Sequence, residues 1–144
     1  MGRLHRHRYL LLAAFLFLLL PFLWFAPVII GGETLLPADI LYTFQPWKAF
    51  AAQLGVGVPH NGLLADLILE NYVWKLFLRR SFAAGQLPLW NPYLFSGVPF
   101  LAAGQHSGLY PLSLLYDILP LAEAYGVFTW LQLAIAGFNS YILA

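Results

Sequence analysis

Two apolar runs without a charged side chain, residues 9–30 and 125–144, bracket a stretch that holds all six carboxylates of the chain. At about 1.5 Å of rise per helical residue, each run is long enough to cross a hydrocarbon core roughly 30 Å thick. The fold expected is an all-α membrane protein, in which two transmembrane helices flank an extracytoplasmic loop with amphipathic, interfacial helices. Its organisation reads as a cytoplasmic basic tail over 1–8, a first span over 9–30, the loop over 31–124 and a second span over 125–144. Composition agrees: 61% of residues are hydrophobic and 9% charged, whereas about a quarter of a soluble domain is charged. A net charge of +1 without a basic stripe offers nucleic acid no footprint, and no nucleic-acid partner is expected. The chain has no cysteine, which excludes disulfides and thiolate metal sites.

Arg3, His5, Arg6, His7 and Arg8 precede the first run with no acid among them. Positive flanks stay cytoplasmic, so the amino terminus is expected inside and the residues after Ile30 outside. A cleaved signal peptide is the competing reading. The apolar stretch is long for that role and Ala26-Pro27-Val28 is a poor cleavage site, which favours an uncleaved anchor. Pro21 and Pro27 are expected to bend the span near its outer end. In the second run, the small residues Ala134, Ala136 and Gly137 accompany Gln132, Asn139 and Ser140. A helix–helix packing seam is preferred there over a functional polar site. Neither run carries a charge, which disfavours a channel. The apolar run reaches Ala144 with no basic stop after it, so the sequence reads as the amino-terminal piece of a longer polytopic protein.

Within the loop, Asn61 suits an N-cap, residues 63–82 repeat apolar side chains at helical spacing, and Gly85 follows Arg79 and Arg80 at the end. On an ideal wheel, Asp66 and Glu70 share a face with Leu63, Val73 and Phe77, opposite Asn71, Lys75 and Arg79. The two acids are therefore unpaired along the helix, and they read either as functional carboxylates or, for Asp66, as a complement to the helix dipole. Ala38-Asp39-Ile40 before Trp47-Lys48 echoes Ala65-Asp66-Leu67 before Trp74-Lys75, which suggests two similar interfacial helices. The Pro- and Gly-rich stretch from Gly85 to Phe100 must turn repeatedly among Trp90, Tyr93 and Phe95. It reads as an interfacial belt or as a rigid wall for a lipid-linked sugar. His106 beside Gln105 reads more readily as a structural hydrogen-bonding group than as a catalyst. No DxD or HxxxH spacing and no glycine-rich phosphate loop occurs, so neither a metal nor a cofactor is expected.

The run Leu87-Pro88-Leu89-Trp90-Asn91-Pro92-Tyr93-Leu94-Phe95-Ser96-Gly97-Val98-Pro99, with Gln105 and Tyr110-Pro111-Leu112 after it, closely resembles the start of the bacterial YfhO-like membrane proteins. These resemble multi-span glycosyltransferases of the GT-C type. The resemblance implies a place in the bacterial cytoplasmic membrane and transfer of a sugar from a polyprenyl-phosphate donor to an extracytoplasmic acceptor. It also implies further transmembrane helices as partners, beside the bilayer and the lipid-linked sugar. A loop aspartate would act as general base toward the acceptor hydroxyl. Asp66, upstream of the Trp-Asn-Pro-Tyr motif, and Asp39, soon after the first span, compete for that role, with Asp66 preferred. Glu70, Trp90, Asn91, Tyr93, Gln105 and His106 are candidate substrate-binding residues. Lys75, Arg79 and Arg80 are candidates to hold the donor phosphate, or else basic residues snorkelling at a helix end. The alternative function is a non-catalytic two-span scaffold or assembly partner.

Overall fold

The computed structural model describes residues 3–144, with side chains from residue 7 onward. Met1 and Gly2 of the expected basic tail lie outside the described residues. The chain is mostly helical: α1 (Arg3–Ile29), α2 (Tyr72–Ala83), β1 (Trp90–Asn91), β2 (Val98–Pro99), α3 (Phe100–Ala103), α4 (Leu115–Ile118) and α5 (Leu121–Leu143), with short 3-10 turns between them. It divides into two compact units, one formed by residues 1–35 and 122–144, the other by residues 36–121.

In the first unit, α1 and α5 are both long and apolar enough to cross a membrane, over His7–Ile29 and Leu121–Leu143. Their large side chains turn outward, with Leu11 72% and Trp24 83% exposed. Apolar surface of that extent requires lipid or protein cover. Helix α1 continues through Pro21 and Pro27, and the Ile30 and Gly31 N–H groups close its end on the Ala26 carbonyl. Helix α5 starts directly after Pro120, earlier than its charge-free run, and takes Glu123 into its first turn. There the carboxylate complements the positive end of the helix dipole.

The seam between the two helices is built from small residues. A Cβ at Gly137 would strike the Phe17 ring, and one at Gly126 would strike Val28. Ala13 and Ala134 are buried. The Trp130 indole N–H donates to the Leu18 carbonyl at 2.8 Å, and its ring meets Phe22 edge-on at 5.5 Å. The expected seam therefore holds for Ala134 and Gly137. Ala136, Gln132, Asn139 and Ser140 are exposed instead, because close approach selects one stripe of a helix and these positions lie off it. Gly137→Leu should lower the unfolding free energy of the detergent-solubilised chain by about 1–3 kcal/mol. Ala136→Leu, one position away, should change it by less than about 0.5 kcal/mol; equal effects from the two in thermal or denaturant unfolding would contradict this packing.

The second unit is organised on the helical segment that ends in α2. The Asn61 side chain accepts the Leu63 N–H at 3.1 Å, as an N-cap should. At the other end Gly85 adopts φ +68°, with its N–H on the Phe82 carbonyl and the Gln86 N–H on the Ser81 carbonyl, both at 2.9 Å. That pair is the Schellman closure, which needs a left-handed residue at that position. Between these ends the helix is irregular. Leu67–Asn71 form a π turn, whose extra residue rotates Asp66 by about 100° relative to α2. The ideal wheel that grouped Asp66 with Val73 and Phe77 is corrected accordingly.

The echo around Asp39 is not a structural repeat either. Pro46 interrupts it, leaving two 3-10 turns, Ala38–Thr43 and Trp47–Phe50, where the second copy is helical. Lys48 is exposed while Lys75 is buried. The Pro-rich motif folds as a two-stranded hairpin, with Trp90 opposite Pro99 and Asn91 opposite Val98. Its loop turns through positive φ at Phe95, Ser96 and Gly97. The Trp90 indole lies so close over Gly97 that a Cβ there would approach it to 2.5 Å. The core of this unit comprises Leu36, Ile40, Ile68, Leu78, Phe100, Tyr116 and Leu121.

Candidate functional site

Helix α2 sorts its polar residues by face, and the sorting decides which of them remain available for a ligand. Lys75 is 2% exposed. Its ammonium donates to the His106 carbonyl at 2.7 Å and to the Ser107 and Ser113 hydroxyls at 3.2 and 3.4 Å. It also sits 4.4 Å from the centre of the Tyr116 ring, an electrostatically favourable cation–π placement. Burial pulls the lysine down to about 8, against the opposing pull of the Asp117 charge. Burial likewise pushes Asp117 upward, countered by Arg79 and Lys75, and it raises Tyr116. The Arg79 guanidinium donates to the Leu119 carbonyl at 3.1 Å.

His106 is equally engaged, and is 2% exposed. Its Nδ1 accepts the Gly108 N–H at 2.9 Å, so its Nε2 is the donor to the Phe100 carbonyl, also at 2.9 Å. The imidazole stacks on the Phe100 ring at 4.2 Å. Lys75, Arg79 and His106 thus spend their donors on the loop that follows the hairpin, while Gln105 beside them is exposed. Of the three basic candidates for the donor phosphate, α2 turns Lys75 and Arg79 inward and leaves Arg80 exposed.

The carboxylates divide too. Asp39 accepts the His60 N–H at 2.8 Å and faces the His60 ring at 3.2 Å, both through Oδ2. The backbone N–H first, then the His60 side chain, hold its carboxyl below the usual aspartate range. Spacing gave no hint of this pair. Asp66 and Glu70 are exposed, and neither forms a side-chain hydrogen bond or ion pair among the described residues. No group of three histidine, aspartate or glutamate side chains placed to hold a metal occurs among the described residues.

A cavity of about 500 Å³ opens between α2 and the hairpin, lined by Val73, Phe77, Arg80, Ser81, Asn91 and Tyr93 among others. Asn91 explains why the motif carries a short side-chain acceptor before Pro92. Its Oδ1 accepts the Tyr93 N–H at 2.9 Å, an Asx turn that fixes the start of the loop. Phe77 meets Tyr93 and Phe100 edge-on at 6.1 and 4.9 Å. Trp90 is 54% exposed and caps Gly97 instead of lining the cavity. Of the candidates read from sequence, the structure brings Arg80, Asn91 and Tyr93 together and leaves Asp39, Asp66 and Glu70 outside that lining. Phe77, Ser81 and Gln86 join the lining without having been candidate site residues in the sequence; Phe77 lies three residues before Arg80 and Ser81 four after Phe77, a helical spacing that was the signal for these two. Comparison with protein-family models, curated proteins and solved structures returns no match.

The lysine network has a pH signature. Unfolded Lys75 titrates near its ordinary value of 10.5 and folded Lys75 near about 8, so the folded state binds fewer protons in between. Stability should therefore rise with pH from about 8 to about 10, where Tyr116, pushed the other way by burial, begins to oppose it. Lys75→Met keeps the apolar stem and removes the titration. Denaturant unfolding of that variant should show a flat profile over the same interval, and an unchanged slope would refute the assignment.

Proposed function

We propose that this chain is the amino-terminal part of a polytopic, GT-C-type membrane glycosyltransferase of the YfhO-like kind. It sits in the bacterial cytoplasmic membrane with residues 1–8 inside and the unit of residues 36–121 outside. The reaction is transfer of a sugar from a polyprenyl-phosphate donor to an extracytoplasmic acceptor hydroxyl. Support for the setting comes from the two helices long and apolar enough to span a bilayer. Support for the chemistry comes from the Leu-Pro-Leu-Trp-Asn-Pro-Tyr motif and, above all, from the state of Asp66.

A general base must reach its proton with an unoccupied carboxylate oxygen, and it works best when its proton affinity is not depressed. Asp39 fails the second condition, because the His60 N–H and ring stabilise its anion. Asp66 is exposed and unengaged, and it directly precedes the π turn, a helix irregularity that recurs at functional sites. Asp66 is therefore assigned as the base and Asp39 as a residue orienting substrate. Glu70 lies within the same π turn and is assigned to hold the acceptor.

A second reading, a non-catalytic membrane scaffold, draws on the exposure of Leu87, Leu89, Trp90 and Phe95. The two separate on one substitution. In the complete protein in its membrane, Asp66→Asn should reduce sugar transfer by on the order of 100-fold or more with insertion intact; undiminished transfer favours the scaffold. Topology is testable independently, since the chain has no cysteine of its own. Leu87→Cys should react with a membrane-impermeant maleimide on intact cells, and His7→Cys should react only after permeabilisation. Labelling of the reverse pattern refutes the orientation.

A further inference from the structure

We propose that the cavity between α2 and the hairpin is a binding site for the phosphoglycerol headgroup and proximal acyl chain of an anionic membrane phospholipid. This site is separate from the sugar-transfer reading, and only its preference for a resident lipid over the donor phosphate rests on that reading. Arg80 is exposed, forms no hydrogen bond or ion pair among the described residues, and is the sole charged side chain in the lining. An unneutralised guanidinium in a concave site attracts an anion, and its planar fork suits phosphate oxygens. Val73, Leu76, Phe77 and Leu94 make the rest of the wall apolar, which suits the methylene chain of an amphiphile better than a free ion.

Asn91 supplies the second, independent observation. The residue is 3% exposed, and its Oδ1 is spent on the Tyr93 N–H. Its amide Nδ2 has no partner among the described residues, yet no side-chain nitrogen or oxygen here is both fully buried and unpartnered. The amide N–H groups therefore keep their residual access, in a residue that lines the cavity. A buried amide with free donors is costly unless a ligand or water completes it. A phosphate or glycerol oxygen does so.

The reacting lipid phosphate is a poorer occupant. Asp66 and Arg80 are ~20 Å apart in axial rise along the helical segment. A general base and the phosphate leaving group must both contact one sugar ring, and a long arginine closes only part of that gap. The cavity thus suits a resident lipid that holds the unit at a membrane surface.

The test uses the whole chain purified in detergent, titrated with phosphatidylglycerol and followed by native mass spectrometry. Wild type should retain one phosphatidylglycerol per chain. Arg80→Gln should weaken retention at least tenfold, while Lys48→Gln, which removes an equal charge elsewhere in the same unit, should not. Asn91→Asp keeps the turn acceptor but replaces the free donor with an anionic oxygen, so it should weaken retention as strongly with circular dichroism unchanged. Retention that is indifferent to Arg80→Gln and Asn91→Asp, or lost equally in Lys48→Gln, overturns the proposal. So does displacement by millimolar inorganic phosphate alone, or by a polyprenyl monophosphate at lower concentration than phosphatidylglycerol. The last outcome makes the cavity a donor site, which keeps a sugar transferase but removes Asp66 as its base; loss of transfer in Asp66→Asn with lipid retention intact separates the two claims in the other direction.

Discussion

Lys75 holds the loop unit together, because an ammonium removed from water must be surrounded by acceptors or give up its proton. Here the acceptors are a backbone carbonyl, two serine hydroxyls and the face of Tyr116, drawn from residues 106–116 and gathered on one helix position. Because each acceptor must be in place for the burial to be tolerated, the lysine fixes the path of a segment that has little regular structure of its own. His106 adds to this by stacking on Phe100 while clamping the backbone at Gly108. Arg79 extends the same attachment to Leu119. The fold of residues 36–121 is in this sense a helix that uses its basic face to organise a loop.

That use of the basic face sets what remains for function. Side chains that satisfy buried backbone groups cannot also bind a substrate without leaving those groups unpaired. Lys75, Arg79 and His106 belong to the framework, and Arg80, one residue on from Arg79, escapes because the helix turns it outward. The hairpin then places Asn91 and Tyr93 opposite it. Among the carboxylates the division is similar: His60 occupies Asp39, whereas Asp66 and Glu70 flank and occupy the π turn with their oxygens free. The unit therefore separates an acidic end from a cationic, apolar one along a single helical axis.

Local signals were legible where the physics is local. The length and apolarity of the two runs, the Asn61 cap and the Gly85 stop all rest on interactions within a few residues, and the structure contains each of them. The failures have identifiable causes. The echo around Asp39 matched in spacing but contained Pro46, and an ideal wheel has no place for the inserted residue at 67–71. The cations Lys75, Arg79 and Arg80 stand close in sequence, but α2 buries the first, half-buries the second and leaves the third exposed, since the successive positions 79 and 80 point some 100° apart.

What the chain determined by itself is the length and apolarity of its two long helices and the places where backbone geometry must change, because hydrophobicity, capping and proline chemistry act at short range. The tertiary structure alone decided which cation stays exposed, which carboxylate is paired and where a cavity opens. Those outcomes depend on groups such as Lys75 and His106, or Asp39 and His60, that meet only when distant segments pack, and their free energies come from desolvation at the meeting point. No pattern along the chain carries that information.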